Sequence, residues 1–332
     1  MYIINNMKKN ILITGGTGLV GCAINEIIEE LKYKSYPYLS KNLLQEYNFI
    51  FLNSKMCDLK NYEKTKKFFT ESEPEYIIHL AANVGGLFKN MKYPVEMLQD
   101  NIEINSNVLK CGHEIGVKTI VSCLSTCIFP DKITYPINED NLHNGPPHNS
   151  NYAYAYAKRI LEIQSRTYRD QYNDNFITII PTNIYGENDN YNLDNAHVIP
   201  ALIHNCYLSK KNNEKFIIKG TGKPLRQFIY SKDLAKLILW TLFNYKDTTP
   251  LILAPNEEDE ISIKQVALEI AKQMNNTDNI FFDSNFSDGQ FKKTASNKKL
   301  LNLLPEFKFT KFSEGIKKNI KWFNKNYPNL RK

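Results

Sequence analysis

The sequence lacks the cysteine patterns of a disulfide-rich or zinc-binding protein. Its six cysteines among 332 residues include no CxxC pair, no regular ladder of spacings and no accompanying histidine-rich segment. Isolated thiols of this kind are typical of proteins kept in a reducing compartment, where disulfides are rare. The composition therefore predicts a cytoplasmic chain with free thiols and no metal site.

Long apolar runs are also missing. The most apolar helical segment, 234–243, is interrupted by Lys236 and is much shorter than the roughly 20 residues that a membrane span requires. The brief apolar run within residues 1–6 is too short for the core of a secretory signal. Neither membrane insertion nor export is predicted.

Positive charge is in excess, but no basic block concentrates it. The formal net charge is +7, and the lysines are scattered along the chain. A nucleic-acid-binding surface would need clustered basic residues, so no nucleic acid partner is expected. The scattered charge instead predicts a solvated surface with a mild attraction for anionic small molecules.

A glycine turn follows the first predicted strand. The apolar run 11–14 leads into glycines at 15, 18 and 21, and the segment 22–31 then has a helical pattern. A strand, a glycine turn and a helix in this order direct backbone amides and a helix dipole at one point, which suits a pyrophosphate. The turn therefore predicts a dinucleotide site, with the contacts Gly15, Thr17, Gly18, Leu19 and Gly21.

The end of the second predicted strand, 49–52, favours NADP over NAD. An NAD-selective site places an acidic residue there for the ribose 2′-hydroxyl, whereas this chain has Asn53, Ser54 and Lys55. Small polar residues followed by a cation fit a 2′-phosphate. Asp58 and Leu59 come next and are candidates for the adenine edge.

Further strands alternate with helices. Predicted strands cover 76–80, 119–123 and 176–180, and a long helix covers 95–115. Residues that follow these strands are further ligand candidates: Ala81, Ala82, Ser125, Pro181 and Asn183. The alternation predicts an α/β fold, a Rossmann-type doubly wound parallel sheet with ligands at the carboxyl ends of its strands.

From residue 184 onward the pattern becomes irregular. This change predicts an NADP-binding domain over 8–183, to which the segment 231–255 returns, and a smaller α/β lobe over 184–330 that binds substrate. Segment 32–48 is polar and predicts a surface insertion without a catalytic role.

Tyr154 and Lys158 stand four residues apart in a helical segment. That spacing puts both side chains on one helix face, where an ammonium can lower the pKa of a phenol from its ordinary value of about 10. Neither Tyr152 nor Tyr156 has a lysine at the same interval. Tyr154 is therefore the candidate among these tyrosines for donating or accepting a proton, although the same spacing also occurs in exposed pairs on an amphipathic helix.

Together, the glycine turn, Ser125 and the Tyr154 and Lys158 pair resemble an extended short-chain dehydrogenase/reductase. Longer segments narrow the resemblance to the GDP-L-fucose synthase family: 124–130 (LSTCIFP), 143–147 (HNGPP), 180–183 (IPTN), 197–200 (HVIP) and 287–294 (SDGQFKKT). The resemblance runs from about residue 10 onward. It implies NADPH-dependent conversion of GDP-4-keto-6-deoxy-mannose to GDP-L-fucose, by epimerisation at C3 and C5 and reduction at C4.

The resemblance also implies roles for individual residues. Cys127 and His197 would be the acid and base of epimerisation, while Ser125, Tyr154 and Lys158 would serve the reduction. Sugar or diphosphate contacts would come from Asn183, His197, Arg226 and either Lys292 or Lys293. Some family members have a basic residue where this chain has Asn205. The diphosphate contacts are therefore expected from Arg226 and from Lys292 or Lys293 instead. Family members pair through helices that include the tyrosine helix, so a homodimer is expected.

Two other functions fit parts of the pattern. A sugar-nucleotide 4-epimerase or dehydratase would share the fold, but it needs no acid and base pair like Cys127 and His197. A non-catalytic dinucleotide-binding protein would share the glycine turn, but it would be expected to have lost Ser125, Tyr154 or Lys158.

Overall fold

The computed structural model of the chain describes residues 8–286 and 288–331. Interpretations that concern residues 1–6 and Ser287 lie outside these residues. The strands are β1 Lys9–Thr14, β2 Tyr47–Leu52, β3 Pro74–His79, β4 Thr119–Cys123, β5 Asn175–Pro181, β6 Asn183–Tyr185, β7 Phe216–Lys219, β8 Leu225–Arg226, β9 Phe228–Tyr230, β10 Leu251–Leu253, β11 Ile261–Ser262 and β12 Ile280–Asp283. The helices are α1 Leu19–Glu30, α2 Leu43–Glu46, α3 Tyr62–Ser72, α4 Leu87–Lys92, α5 Pro94–Glu114, α6 Tyr152–Tyr172, α7 Val198–Asn212, α8 Ser231–Asn244, α9 Ile263–Gln273, α10 Lys298–Leu303 and α11 Phe312–Asn326.

Six strands form a central sheet in the order β10, β5, β4, β3, β1, β2. Every neighbouring pair in this sheet is parallel. The order reverses between β1 and β3, and the carboxyl ends at such a reversal leave a crevice where ligands bind. The predicted doubly wound parallel sheet is confirmed, including the return of β10 to its edge.

The sheet is buried on both faces because its strands are apolar on both sides. In β1, Ile11 and Ile13 pack with α1 and α8 on one face, and Leu12 packs on the other face in the cluster that includes α5 and α6. All three side chains are fully buried. The residues that point at the two helix layers therefore alternate along the strand, as the period of two requires.

A third apolar cluster lies under α7, α9 and α11, with Ile203, Phe216, Ile270 and Phe323 among its buried members. Three short strand pairs accompany it: β6 with β9, β7 with β12, and β8 with β11. The division into an NADP-binding domain and a substrate lobe remains a prediction.

The segment 32–48 differs from the sequence-based expectation. Tyr36 and Leu39 are buried in the same apolar cluster as α1 and α8, and the Tyr36 hydroxyl donates to the Glu30 carboxylate. The interpretation as a surface insertion is therefore wrong for these side chains. The polar residues around Tyr36 and Leu39 in the sequence do not indicate that these two side chains belong to the core.

Within the part of the chain that the structure describes, no helix combines the length and apolar character needed to cross a bilayer.

Candidate active site

A cleft of about 870 Å³ opens at the carboxyl ends of the central strands. Its volume is near the upper end of the range for ligand pockets, about 300 to 1,000 Å³. Most of the predicted site residues line it: Gly15, Thr17, Gly18, Leu19, Gly21, Asp58, Leu59, Ala81, Ala82, Ser125, Cys127, Tyr154, Lys158, Pro181, Asn183, His197, Arg226 and Lys293. Residues far apart in sequence therefore meet in one cavity.

The glycine turn is shaped by close backbone contacts. Gly15 has a φ of 70°, and a Cβ added there would lie 2.9 Å from the backbone nitrogen of Ala81. A Cβ on Gly21 would lie 2.6 Å from the carbonyl oxygen of Gly15. Gly18 is the N-cap of α1 and has no side chain to cap the first amides of the helix. Helix α1 begins at Leu19, three residues before the predicted start. The positive end of its dipole therefore lies at the glycine turn, where it would stabilise a bound pyrophosphate.

A buried network supports the opposite wall of the cofactor end. The Thr14 hydroxyl accepts from the amides of Leu80 and Ala81 at 3.1 and 3.2 Å, and lies 2.8 Å from Nδ1 of His79. Burial lowers the pKa of His79 to about 3, so the ring is neutral. With Thr14 donating to Nδ1, the His79 Nε2 proton is donated to Asn105 at 3.0 Å. These contacts hold the backbone of Ala81 at the cleft surface.

The end of β2 agrees only partly with the prediction. Asn53 lines the cleft, and its side-chain oxygen accepts from the amides of Lys55 and Met56 at 3.0 and 3.2 Å. The exposed Lys55 side chain is not part of the cleft lining, so its contact with a 2′-phosphate remains a prediction. Lys60 does line the cleft and forms an ion pair with Asp100 at 3.3 Å. Sequence reasoning missed Lys60 because no motif marks it.

Tyr154 and Lys158 lie together on α6, as predicted. The Lys158 Nζ donates to the carbonyl of Cys123 at 2.8 Å and lies 5.8 Å from the centroid of the Tyr154 ring. Burial is the main cause of the raised pKa of Tyr154, and Cys127 and Cys123 add to it. Burial likewise lowers the pKa of Lys158. The pKa of the Tyr154 phenol is therefore raised in this structure, not lowered as the sequence analysis expected, because desolvation is its largest influence.

Ser125 and Cys127 are held by a short 3-10 helix, Thr126–Ile128, that directly follows β4. Ser125 caps it, and its hydroxyl accepts from the Cys127 amide at 3.4 Å. Burial raises the pKa of the Cys127 thiol, and the charge of Lys293 is the largest influence in the opposite direction. The charge of Lys293 therefore acts on the thiol, but burial has the larger effect.

His197 is the N-cap of α7 and lines the cleft beside an acidic residue that sequence reasoning missed. Asp189 is buried, and its Oδ2 has no hydrogen-bond partner among residues 8–286 and 288–331. Burial raises the pKa of the Asp189 carboxyl, and the charges of His197 and Arg331 act against that rise. Asp189 follows β6 in a loop without any recognised motif, so only the fold places it near His197.

The structure distinguishes between the two candidate lysines. Lys293 lines the cleft together with Arg226, and burial followed by the charge of Arg226 lowers the pKa of Lys293 to about 8. Lys292 is not part of the lining: its Nζ lies 3.8 Å from the Glu260 carboxylate and 5.3 Å from the centroid of the Tyr135 ring. The geometry therefore favours Lys293 over Lys292 as the contact to the substrate, and that contact remains a prediction. Consecutive side chains on this extended segment point in different directions.

Arg226 is fixed by backbone acceptors. Its guanidinium donates to the carbonyls of Leu225 and Gln290 at 2.7 Å each, and to that of Phe291 at 3.3 Å. These bonds join β8 to the segment that leads to Lys293, so the two cations are held in one wall. Two cations in one wall of a cleft favour a ligand with two phosphates.

The arrangement combines three kinds of chemistry. One end offers a glycine turn and a helix N-terminus to a dinucleotide, and the other offers Arg226 and Lys293 to an anion. Between them lie Tyr154, Cys127 and His197, which can donate or accept protons. The cleft therefore suits proton transfer next to a bound dinucleotide.

Comparison with known proteins agrees with this geometry. Residues 11–252 match the NAD dependent epimerase/dehydratase family. The chain is 51% identical to a GDP-L-fucose synthase of Dictyostelium discoideum over 98% of both chains. It is 44% identical to a probable GDP-L-fucose synthase of Drosophila melanogaster, over 98% of this chain and 100% of the relative. A crystal structure of a GDP-L-fucose synthetase from Naegleria fowleri bound to NADP matches with a TM-score of 0.89 and 47% identity, over 98% of this chain and 95% of that one.

These matches span both the dinucleotide end and the substrate end of the cleft, so they cover every element that contributes a site residue. The chain therefore belongs to the NAD dependent epimerase/dehydratase family and, within it, to the GDP-L-fucose synthases.

Proposed function

We propose that this chain converts GDP-4-keto-6-deoxy-D-mannose to GDP-L-fucose with NADPH. The observation that carries the proposal is the meeting of Cys127 and His197 with Tyr154 and Lys158 in one cleft, in a chain 51% identical to a GDP-L-fucose synthase. A reductase alone would need only the second pair. Two successive proton transfers on the sugar ring account for the first pair.

The residues present fit NADPH. At Gly15 and Gly21 a Cβ would meet neighbouring backbone, so the two glycines let the turn pack closely against α1 and β3, and the N-terminus of α1 is left facing the cleft for a pyrophosphate. Ala81 and Ala82 leave the facing wall flat, and Asn53 and Ser54 stand at the ribose end in place of an acid. When bound, NADPH supplies the hydride that reduces C4.

Epimerisation relies on the acidity that the 4-ketone gives to the hydrogens on C3 and C5. We assign Cys127 and His197 as the pair that removes a proton from one face and returns a proton to the other. The charge of Lys293 opposes the rise in pKa that burial causes in the Cys127 thiol, and so increases its thiolate fraction. Asp189 lies near His197, whose charge opposes the rise in pKa that burial causes in the Asp189 carboxyl.

Reduction relies on Tyr154 as the acid that protonates the C4 oxygen. The raised pKa keeps this phenol protonated at neutral pH, which is the form that donates. Ser125 holds the same oxygen by a hydrogen bond. The Lys158 ammonium stabilises the phenolate that remains after donation, because it lies against the same ring.

Lys293→Met is expected to raise the KM for the GDP-sugar about tenfold at neutral pH, because a charge-assisted contact to a phosphate is lost. The native pKa of about 8 means that Lys293 loses its charge as the pH rises through that value. The kcat/KM for the sugar should therefore fall above about pH 8 in the native enzyme, and this fall should be absent in the variant. Steady-state rates across a pH series measure both effects.

Lys292→Met is the matched comparison for this lysine. Its charge lies against Glu260 outside the cleft, so its KM for the GDP-sugar should stay within about twofold of native. Equal losses in the two variants would contradict the assignment of Lys293 to the diphosphate.

The central experiment is an NADPH-coupled assay with product identification. We expect one NADPH to be oxidised for each GDP-L-fucose formed from the 4-keto substrate. No net oxidation, with turnover of a different GDP-sugar, would indicate a 4-epimerase or dehydratase instead. No turnover of any sugar nucleotide, with NADPH still bound, would indicate a non-catalytic dinucleotide-binding protein.

We further propose that the enzyme is a homodimer that pairs through α6. Tyr152, Tyr156 and Ile163 are 47%, 40% and 40% exposed, and their spacing of four and seven residues places them on one helix face. Val95 on the neighbouring α5 is 59% exposed. A row of exposed apolar side chains on adjacent helices fits a self-complementary interface.

Ile163→Glu is expected to convert the dimer to monomers, because it places two like charges in the buried interface of the symmetric pair. Light scattering coupled to size-exclusion chromatography gives the mass directly. Leu268→Glu changes an equally exposed side chain on α9 and should leave the dimer intact. A native protein that runs as a monomer, or a dimeric Ile163→Glu variant, contradicts this interface.

The proposed compartment is the cytosol, with no membrane association. The argument is chemical: all six cysteines are free, and Cys57, Cys111 and Cys206 are among the buried ones, as is typical of chains kept in a reducing compartment. Cell fractionation with an antibody to the chain tests it, and recovery in a membrane or secreted fraction would contradict it.

A further inference from the structure

Arg331 reaches the cofactor end of the cleft from the segment that follows α11. Leu330 is buried in the apolar cluster under α7, α9 and α11, and the Arg331 carbonyl accepts from the amide of Tyr191 at 3.0 Å. Tyr191 is itself fully buried, and its hydroxyl donates to the side chain of Asn319 on α11. The backbone on both sides of the Arg331 side chain is therefore held by the core.

The guanidinium lies over the glycine turn. Arg331 lines the cleft, and its Nη1 is 3.9 Å from the position that a Cβ on Gly18 would occupy. Gly18 is the N-cap of α1, and no acidic residue stands in the first turn of that helix to pair with a cation. Among the residues that the structure describes, the Arg331 guanidinium has no hydrogen bond or ion pair.

The charge of Arg331 lowers the pKa of two neighbouring groups, the Cys22 thiol and the Asp189 carboxyl, against the effect of their burial. Burial raises the pKa of the Cys22 thiol, with Glu26 adding to the rise, and the Arg331 charge acts against it. Burial also raises the pKa of the Asp189 carboxyl, where His197 and then Arg331 act against it. The cation therefore lies between the first turn of α1 and the loop that contains Asp189, facing the cleft.

We propose that Arg331 is a cofactor-binding residue whose guanidinium contacts the pyrophosphate of NADPH. The inference rests on the proposed use of NADPH and adds a contact to it. The glycine turn offers backbone amides and the Thr17 hydroxyl to two phosphate charges but contains no cation, and a planar guanidinium supplies paired donors that match phosphate oxygens. The 2′-phosphate is a poorer match, because the predicted site for it is at Asn53 after β2, whereas Arg331 lies over Gly18.

The test measures equilibrium binding of NADPH and NADH to the enzyme without sugar. Arg331→Ala should raise the Kd of both cofactors by about tenfold or more, since a charge-assisted hydrogen bond to the shared pyrophosphate is lost. Arg331→Lys should recover part of the affinity, because it retains the charge but not the planar donors. Isothermal titration or quenching of protein fluorescence reads Kd independently of turnover.

Lys325→Ala is the matched control. It removes one positive charge from the exposed last turn of α11, outside the cleft, and should leave both Kd values within about twofold of native. An equal loss in Lys325→Ala would mean that general charge is responsible and would overturn the assignment. A loss for NADPH with none for NADH would place Arg331 at the 2′-phosphate and also overturn it.

An unchanged Kd in Arg331→Ala overturns the inference outright. Because Leu330 and the Arg331 carbonyl make the anchoring contacts, the substitution should leave the melting temperature unchanged. If Arg331→Ala does not fold, Arg331→Gln and Arg331→Lys are compared instead, and equal Kd values in that pair overturn the proposal. Failure of the proposed function would show separately, as absence of GDP-L-fucose from the native enzyme.

Discussion

Replacing Tyr154 by phenylalanine is expected to stop reduction at C4 while the protons at C3 and C5 continue to exchange with solvent. The phenol is the only protonated acid assigned to the C4 oxygen, and general acid catalysis contributes about 100-fold to 10,000-fold to such a step. We therefore expect NADPH oxidation to fall by at least about 100-fold. Incorporation of deuterium from heavy water into the recovered 4-keto sugar should persist, because Cys127 and His197 are untouched.

Tyr152→Phe is the matched control for this variant. Tyr152 stands two residues earlier on α6, is 47% exposed and has no lysine one turn further along the helix. Its NADPH oxidation should match that of the native enzyme. Loss of exchange together with reduction in a folded Tyr154→Phe protein would contradict the separation of the two chemistries, and retained reduction would contradict Tyr154 as the acid.

Replacing Cys127 by serine is expected to stop the exchange itself, and with it the formation of GDP-L-fucose. A serine hydroxyl has nearly the size of the thiol but is not ionised near neutral pH, so the base at this position is lost. Exchange at the carbon that Cys127 serves should fall by about 100-fold or more. Mass spectrometry of the sugar after incubation in heavy water reads the loss at each carbon.

Cys123→Ser provides the control because it changes a thiol in the same wall of the cleft. The Cys123 contact to Lys158 is made by its backbone carbonyl, which the substitution retains. Exchange and NADPH oxidation should therefore stay near native levels. Equal loss of exchange in both serine variants would show that a disturbed cleft wall, rather than removal of the Cys127 thiol, causes the loss.

Most of the sheet could be predicted from local patterns. β4 was predicted with the bounds that the structure has, and β1, β2, β3 and β5 were predicted with ends that differ by at most two residues. Apolar runs bounded by polar turns are a short-range signal, so they do not need knowledge of the partner strand. α3 was not predicted, because its apolar positions are few, with Thr65 and Phe69 as its buried residues.

The segment 32–48 shows where local patterns fail. Its polar and tyrosine-rich composition predicts an exposed insertion, whereas Tyr36 and Leu39 are buried beside α1 and α8. Burial depends on what a segment packs against, and α8 is about 200 residues away in sequence. No local property of residues 32–48 could have identified that partner.

The identities of the candidate catalytic side chains came from motifs in the sequence. The helical interval between Tyr154 and Lys158, and the short distance from the end of β4 to Ser125 and Cys127, are local features that remain the same in any context. The charge states of these groups were not predictable in the same way. Burial raises the pKa of Tyr154 and of Cys127, and burial is a property of the assembled cleft.

The tyrosine helix, the glycine turn and the parallel sheet were thus determined by the sequence itself, because each rests on spacings of a few residues. Only the tertiary structure decided that Lys293 rather than Lys292 faces the thiol, that Asp189 lies near His197, and that Arg331 returns to the glycine turn. The reason is physical: electrostatic effects depend on distance through space and on desolvation, and both are set when segments from opposite ends of the chain pack around one cleft.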